Sequence, residues 1–176
     1  MLQCIIIAAV LILDQVTKYL TNLYLPLGAS HVVWAGVFEF SNVHNTGAAW
    51  GMFAGARWFF IVVTLLVVVL LVLLLVRERR ALGLLARICL SLLIAGALGN
   101  LIDRVFLAYV REMFYVSLIH CPVFNVADSA VTIGAVLLVI DVLFGGTDSI
   151  FSVLEALEKK RKGKRAPAAP PEEPHA

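Results

Sequence analysis

From Trp58 to Val76 the chain runs nineteen residues without a charge. As a helix, that length crosses most of a hydrocarbon core about 30 Å thick. A helix apolar on every side is at home in lipid or in a large core, not at a water-facing surface. Three more stretches, 4–24, 84–102 and 129–144, are nearly as apolar, so the spacing predicts four membrane spans. Composition agrees: 61% of the 176 residues are hydrophobic, and mean hydropathy is +0.96. Soluble domains are closer to half apolar. The fold class expected is an all-α membrane protein of four transmembrane helices.

Polar character falls between the spans. Met1 to Leu13 lacks a basic leader and a small-residue cleavage site, which suits a retained first span better than a signal peptide. Residues 26–56 break the helical pattern. Val32-Val33-Trp34 and Val37-Phe38-Glu39-Phe40, punctuated by Gly28 and Gly36, predict a small strand-containing element between the first two helices. Asn42, Asn45, Thr46 and Gly47 form a turn-like cluster before Ala48-Ala49-Trp50-Gly51. Such a stretch allows close backbone approach to a ligand, or is an ordinary loop, and spacing does not choose. Trp58 suits an interfacial anchor.

Basic residues set the orientation. Arg77, Arg79, Arg80 and Arg87 flank the connection after the second span, and Lys159, Lys160, Arg161, Lys162, Lys164 and Arg165 cluster near the C-terminus. The positive-inside rule makes both cytoplasmic, and with them both termini. Residues 26–56 and 105–127 then lie outside the cytoplasm. The chain divides into a membrane domain, 1–146, and a cytoplasmic basic, Pro-rich tail, 147–176. The tail opens with an amphipathic stretch and ends in a Pro/Ala/Glu segment of disordered composition. Its charge enforces topology; holding anionic headgroups is the competing use.

Ionisable groups at membrane depth are costly, and they point to function by default. They gather here in Gly96-Ala97-Leu98-Gly99-Asn100-Leu101-Ile102-Asp103-Arg104, in Arg111-Glu112, and in Phe124-Asn125-Val126-Ala127-Asp128-Ser129. Asp14 and Lys18, spaced i, i+4, share a helix face and can pair. Gly96, Ala97 and Gly99 are small enough for close helix packing in lipid. Two carboxylates held together in a poorly hydrated place share a proton, one acting as base and the other as acid. Taken alone, Asp103 beside Arg104 reads as a structural pair, and Asp128 as a helix N-terminal residue. Cys4, Cys89 and Cys121 are too scattered for a disulfide framework or zinc site. Cys4 and Cys89 are expected as small buried hydrophobes. His31, His44, His120 and His175 are dispersed and expected at the surface. No metal cluster and no cofactor is implied.

These motifs carry a resemblance. Leu13-Asp14-Gln15-Val16-Thr17-Lys18, Asn45-Thr46-Gly47-Ala48-Ala49, the Gly96–Arg104 string and Phe124–Ser129 occur in the order seen in signal peptidase II. The chain resembles that family of bacterial aspartic endopeptidases as far as Phe144. The resemblance implies an inner-membrane enzyme with a β-rich extracytoplasmic cradle and a helical or loop segment between spans three and four. It implies cleavage of prolipoprotein signal peptides just before a diacylglyceryl-modified cysteine. Asp128 matches the second catalytic aspartate. Asn45, Gly47, Asn100, Asp103, Arg104, Asn125, Asp14 and Lys18 match residues that line or brace the site.

One position departs. The family's first catalytic aspartate lies eight residues after the arginine of its Asp-Arg pair, and that position here is Glu112. The extra methylene matters, because misplacement by about 1 Å can cost roughly 10²-fold in rate. Arg111 beside it replaces an apolar residue, and a close cation would favour the ionised carboxylate. Ala108 stands where a glycine is usual. The expected function is aspartic hydrolysis through Asp128 and Glu112, with the site facing outward. A catalytically impaired binding relative and a small proton-coupled transporter are the alternatives, though no internal repeat supports the second. The partners expected are lipid-modified prolipoproteins and membrane phospholipids, not nucleic acid, with the chain working as a monomer.

Overall fold

The computed structural model describes residues 1–47 and 52–165, with side chains as far as residue 162. Its main helices are α1 (Leu2–Tyr24), α2 (Arg57–Arg77), α3 (Leu84–Phe106) and α4 (Val126–Phe144). All four are long and apolar enough to cross a membrane. A fifth, α5 (Ile150–Arg165), follows α4 after a short 3-10 turn. The strands are β1 (Ser30–Trp34), β2 (Phe38–Asn45) and β3 (Val110–Tyr115), forming one antiparallel sheet in that order.

Helix α3 is the hub, packing against α1, α2 and α4. Its sequence explains this. Ala86, Cys89, Ser91, Ala95, Gly96 and Gly99 are all buried, so neighbouring backbones come close. A Cβ on Gly99 would lie 2.7 Å from Asp14 Oδ2 and 2.9 Å from the Ala127 Cβ. Helix α2 is the opposite case: only Val68 and Leu75 are buried, and most of its surface is exposed. Both α2 and α4 lie on α3 but make no broad contact with each other among the described residues. A gap remains between them.

The sheet extends further than the sequence pattern indicates. Asn42 and Asn45 lie within β2, not in a turn before the second span. The segment 105–127 supplies the third strand rather than only loop or helix, because a third strand covers the open edge of β2. Phe38, Phe40, Phe114 and Phe124 pack together around that pairing, with neighbouring ring centroids 5.3–6.2 Å apart. At the other end of α3, Ile150 and Val153 of α5 join a buried cluster with Leu75, Leu82 and Ala86. Asp141 Oδ2 accepts the Ile150 N–H at 2.8 Å, capping α5. Exposed Lys159 and Lys162 pair with Glu155 and Glu158 along the same helix.

Two smaller expectations change. Cys4 is exposed on the lipid-facing side of α1, since that helix buries only a narrow polar stripe. His44 is half-buried and stacks on Tyr109 with ring centroids 3.8 Å apart. Burial and the nearby Arg111 cation hold its imidazole below the ordinary value. His31 and His120 are exposed. Ala48, Ala49, Trp50, Gly51, His175 and the Pro/Ala/Glu segment lie outside the described residues.

Candidate active site

Strand alternation decides which side chains meet. Successive strand residues point to opposite faces. Val43 lies opposite Glu112 and His44 opposite Arg111, so Asn45 shares a face with Glu112 while Arg111 points away. Asn45 Nδ2 donates to Glu112 Oε1 at 2.8 Å, and Asn45 Oδ1 accepts the Gly47 N–H at 2.8 Å.

Asp128 is placed by the start of α4. Asn125 Oδ1 accepts the Asp128 N–H at 2.8 Å, and Asp128 Oδ2 accepts the Asn125 N–H at 3.1 Å. This reciprocal capping box satisfies two otherwise orphaned helix donors. Asn100 Nδ2 donates to Asp128 Oδ1 at 2.7 Å. The helix-terminal role expected of Asp128 is therefore real, yet the same carboxylate lines a cavity of about 800 Å³. Glu112, Asn45, Gly47, Asn100 and Arg104 line it too. Its remaining wall is largely apolar and includes Val63 and Val67 of α2 and Val131 and Ile133 of α4.

Glu112 is pushed up to about 7, chiefly by burial, with the nearby Asp128 charge adding to the rise. The Asn45 hydrogen bond and the Arg104 and Lys18 cations act in the opposite sense. The expectation that Arg111 would hold Glu112 ionised fails, because strand geometry turns Arg111 to the other face. Its Nη2 lies 2.7 Å from Asp103 Oδ1, its Nε 3.2 Å from Asp103 Oδ2, and its Nη2 also donates to Gln15 Oε1 at 2.8 Å.

Beside the cavity lies an ion cluster in which Asp14, Lys18 and Asp103 are fully buried. Lys18 Nζ sits 2.8 Å from Asp14 Oδ2 and 3.4 Å from Asp103 Oδ2, and donates to Asn100 Oδ1 at 3.1 Å. Lys18 and Arg111 balance Asp14 and Asp103, as buried charges require. Asp14 Oδ1 also accepts the Ala127 N–H at 2.9 Å, linking α1 to the start of α4. Asn125 Nδ2 donates to Asn100 Oδ1 at 3.0 Å. Asn100 thus connects the ion cluster to Asp128. Arg104 faces the cavity, donating to the Gly47 carbonyl at 3.0 Å, with its guanidinium over the Phe60 ring.

Asp14, Lys18, Asn45, Gly47, Asn100, Asp103, Arg104, Glu112, Asn125 and Asp128 therefore form one connected region. Sequence reasoning missed Gln15 and Arg57. Gln15 is a polar residue inside an apolar span, which is a usable signal. Arg57 donates to the carbonyls of Arg104 and Val105, both at 2.7 Å, capping the end of α3, and nothing local foretells that partner. Cys121 lines the cavity. Among the described residues, no group of three His, Cys, Asp or Glu could hold a metal ion.

The sequence model for signal peptidase (SPase) II matches residues 6–144. The chain belongs to the signal peptidase II family. Lipoprotein signal peptidase of Lactiplantibacillus plantarum is 40% identical over 139 residues, covering 79% of this chain and 92% of that protein. Its counterpart in Brevibacillus brevis is 42% identical over 142 residues, covering 80% and 95%. A bacterial membrane enzyme solved by the in meso method at 2.3 Å superposes with a TM-score of 0.73. It is 31% identical, with 96% of this chain and 94% of that one covered. A second, at 1.9 Å, gives a TM-score of 0.73 at 35% identity, with coverages of 81% and 92%. As a signal peptidase II, the protein is an aspartic-type peptide hydrolase, and its four spans make it a multi-pass bacterial membrane protein.

Proposed function

We propose that this signal peptidase II removes the signal peptide from diacylglyceryl-modified prolipoproteins, cutting just before the lipidated cysteine. Asp128 and Glu112 are its catalytic carboxylates. The observation that carries this reading is their convergence: two carboxylates from different elements line one cavity, and their oxygens accept from amide groups. Neither is in ion-pair contact with a cation among the described residues.

In this mechanism Asp128 starts ionised, its two oxygens used only as acceptors, and Glu112 starts protonated. Asp128 takes a proton from a water that attacks the scissile carbonyl carbon. Glu112 gives its proton to the carbonyl oxygen, producing a gem-diol. The C–N bond then breaks. Asp128 passes its proton to the leaving nitrogen, and one diol hydroxyl returns a proton to Glu112. Asn45, whose amide is bonded to Glu112 and the Gly47 N–H, aims the acid. Arg104 holds the Gly47 carbonyl beside the cavity. The apolar wall between α2 and α4 suits the acyl chains of a lipidated substrate.

The site would face outward. Arg87 and Asp103 lie sixteen residues apart on α3, about 24 Å, so the loop arginines and the carboxylates occupy opposite ends of the bundle. Positive charge favours the cytoplasmic side. The working unit in this reading is a monomer surrounded by phospholipid.

The test is cleavage of a diacylglyceryl-modified prolipoprotein by purified protein in detergent. The native chain should cut before the lipidated cysteine, while Asp128→Asn and Glu112→Gln should each lose roughly 10²–10⁴-fold, the usual worth of general acid–base catalysis. An inert native chain revived by Glu112→Asp would instead identify a catalytically impaired binding relative.

A further inference from the structure

We propose that Arg111 is a positioning residue: it pegs strand β3 so that the glutamate carboxylate beside it arrives where the reaction needs it. This rests on the reading of Glu112 as the acid.

The peg has contacts on both sides of the Arg111 Cα. The backbone N–H donates to Asp103 Oδ2 at 2.9 Å, and the carbonyl accepts Asn125 Nδ2 at 3.1 Å. That carbonyl belongs to the peptide unit that carries the Glu112 nitrogen. The guanidinium grips both oxygens of Asp103 as a fork, the arrangement in which arginine adds geometric specificity that a point charge does not. Its remaining contact, with Gln15 Oε1, reaches α1. Strand β3 is thereby tied to three helices at a single residue.

Those anchors also position the other carboxylate. Asn125 caps α4 with Asp128. Asp103 is in contact with Lys18, which donates to Asn100, which donates to Asp128. Both carboxylates are therefore referenced to one buried frame. Glutamate needs such a frame more than aspartate does, because its extra torsion gives the carboxylate more conformers to lose. Arg111 fixes the base of that side chain, and Asn45 fixes its tip.

The experiment compares native protein with Arg111→Gln, Arg111→Lys, Gln15→Ala and Glu112→Gln. It measures kcat, KM, the pH dependence of kcat on lipidated prolipoprotein in detergent, and Tm. Arg111→Gln should lower kcat at least tenfold while KM stays within twofold. The high-pH limb of kcat should move to lower pH, since a loosened strand admits water to Glu112. The groups facing Glu112 from each neighbouring element, Asn45 on β2, Asp128 on α4, Arg104 on α3 and Lys18 on α1, are unchanged in these variants. Arg111→Lys should recover part of the loss, and Gln15→Ala should shift the limb in the same direction by less.

Arg111→Gln with native kcat and an unmoved limb overturns the proposal. So does a kcat loss that follows only the folded fraction while the limb stays put. Should Arg111→Gln fail to fold, an unmoved limb in both Arg111→Lys and Gln15→Ala overturns it just as firmly. Glu112→Gln separates the two levels. If that variant cleaves normally, the acid assignment falls and this inference with it. If it is inert while the Arg111 variants behave as native, only the positioning role is lost.

Discussion

Asp14 and Asp103 share one end of the bundle with Glu112 and Asp128, but the two pairs are held in different ways. Asp14 and Asp103 each touch a lysine or arginine nitrogen within 3.4 Å. Glu112 and Asp128 accept from amides alone among the described residues. A buried carboxylate against a cation is fixed in its ionised form, because losing either partner leaves an uncompensated charge. A buried carboxylate held by amides can exchange a proton without breaking an ion pair. The first arrangement builds a frame, and the second leaves groups free to react.

The largest expected effect tests the frame. Lys18→Met strands Asp14 and leaves Asp103 with Arg111 alone, so unfolding in detergent should become easier by roughly 3–5 kcal/mol. A loss below about 1 kcal/mol would dissolve the distinction between the two pairs.

Next in size is the pH response of the amide-held pair. Glu112 lies near 7 in the fold against an ordinary value of 4.5. A raised value means its favourable contribution is complete below pH 4.5 and is lost as pH rises through about 7. At about 1.4 kcal/mol per pH unit, the loss comes to about 3 kcal/mol. Glu112→Gln should therefore flatten the stability–pH curve between pH 4.5 and 7, measured as Tm across buffers. An unaltered curve would mean that Glu112 is not held in this state.

Packing beneath the frame gives a smaller effect. Gly99→Ala pushes a methyl against Asp14 Oδ2 and Ala127, and overpacking of this kind costs typically 1–3 kcal/mol. Activity should fall with it, since Asp14 holds the first turn of α4. The smallest change lies on the approach to β3. Ala108 has φ of +72°, a left-handed conformation that costs a non-glycine residue about 1–2 kcal/mol. Ala108→Gly should raise Tm slightly and leave the pH dependence of cleavage in place. A fall in Tm would show that the Ala108 methyl makes compensating contacts.

The four spans were legible because hydrophobic run length is a local property, and Trp58 to Val76 needs no partner to be recognised. The Asp14–Lys18 pairing was also legible, since i, i+4 spacing fixes it within one helix. Its wider setting was not. Asn100 and Asp103 reach Lys18 from α3 and Arg111 reaches Asp103 from β3, and no local pattern encodes those meetings. The third strand was hidden for the same reason: Val110–Tyr115 mixes charged and aromatic residues and becomes a strand only against β2. The motif resemblance singled out Asp128 and Glu112, whereas residue chemistry alone read Asp103 as a structural pair with Arg104 and Asp128 as a helix N-terminal residue. The structure separates them by partner, placing Asp103 among cations and the other two in the cavity.

The gap between α2 and α4 has a consequence for how a reactant would be encountered. A cavity walled by two helices that do not close on each other meets the hydrocarbon sideways. A molecule anchored there by its own acyl chains searches in a plane, not a volume. What governs its arrival is then its number per area of bilayer or per micelle, not its molarity in the tube. Adding inert lipid or detergent at constant total substrate should slow turnover by surface dilution alone, with every side chain of the enzyme unchanged.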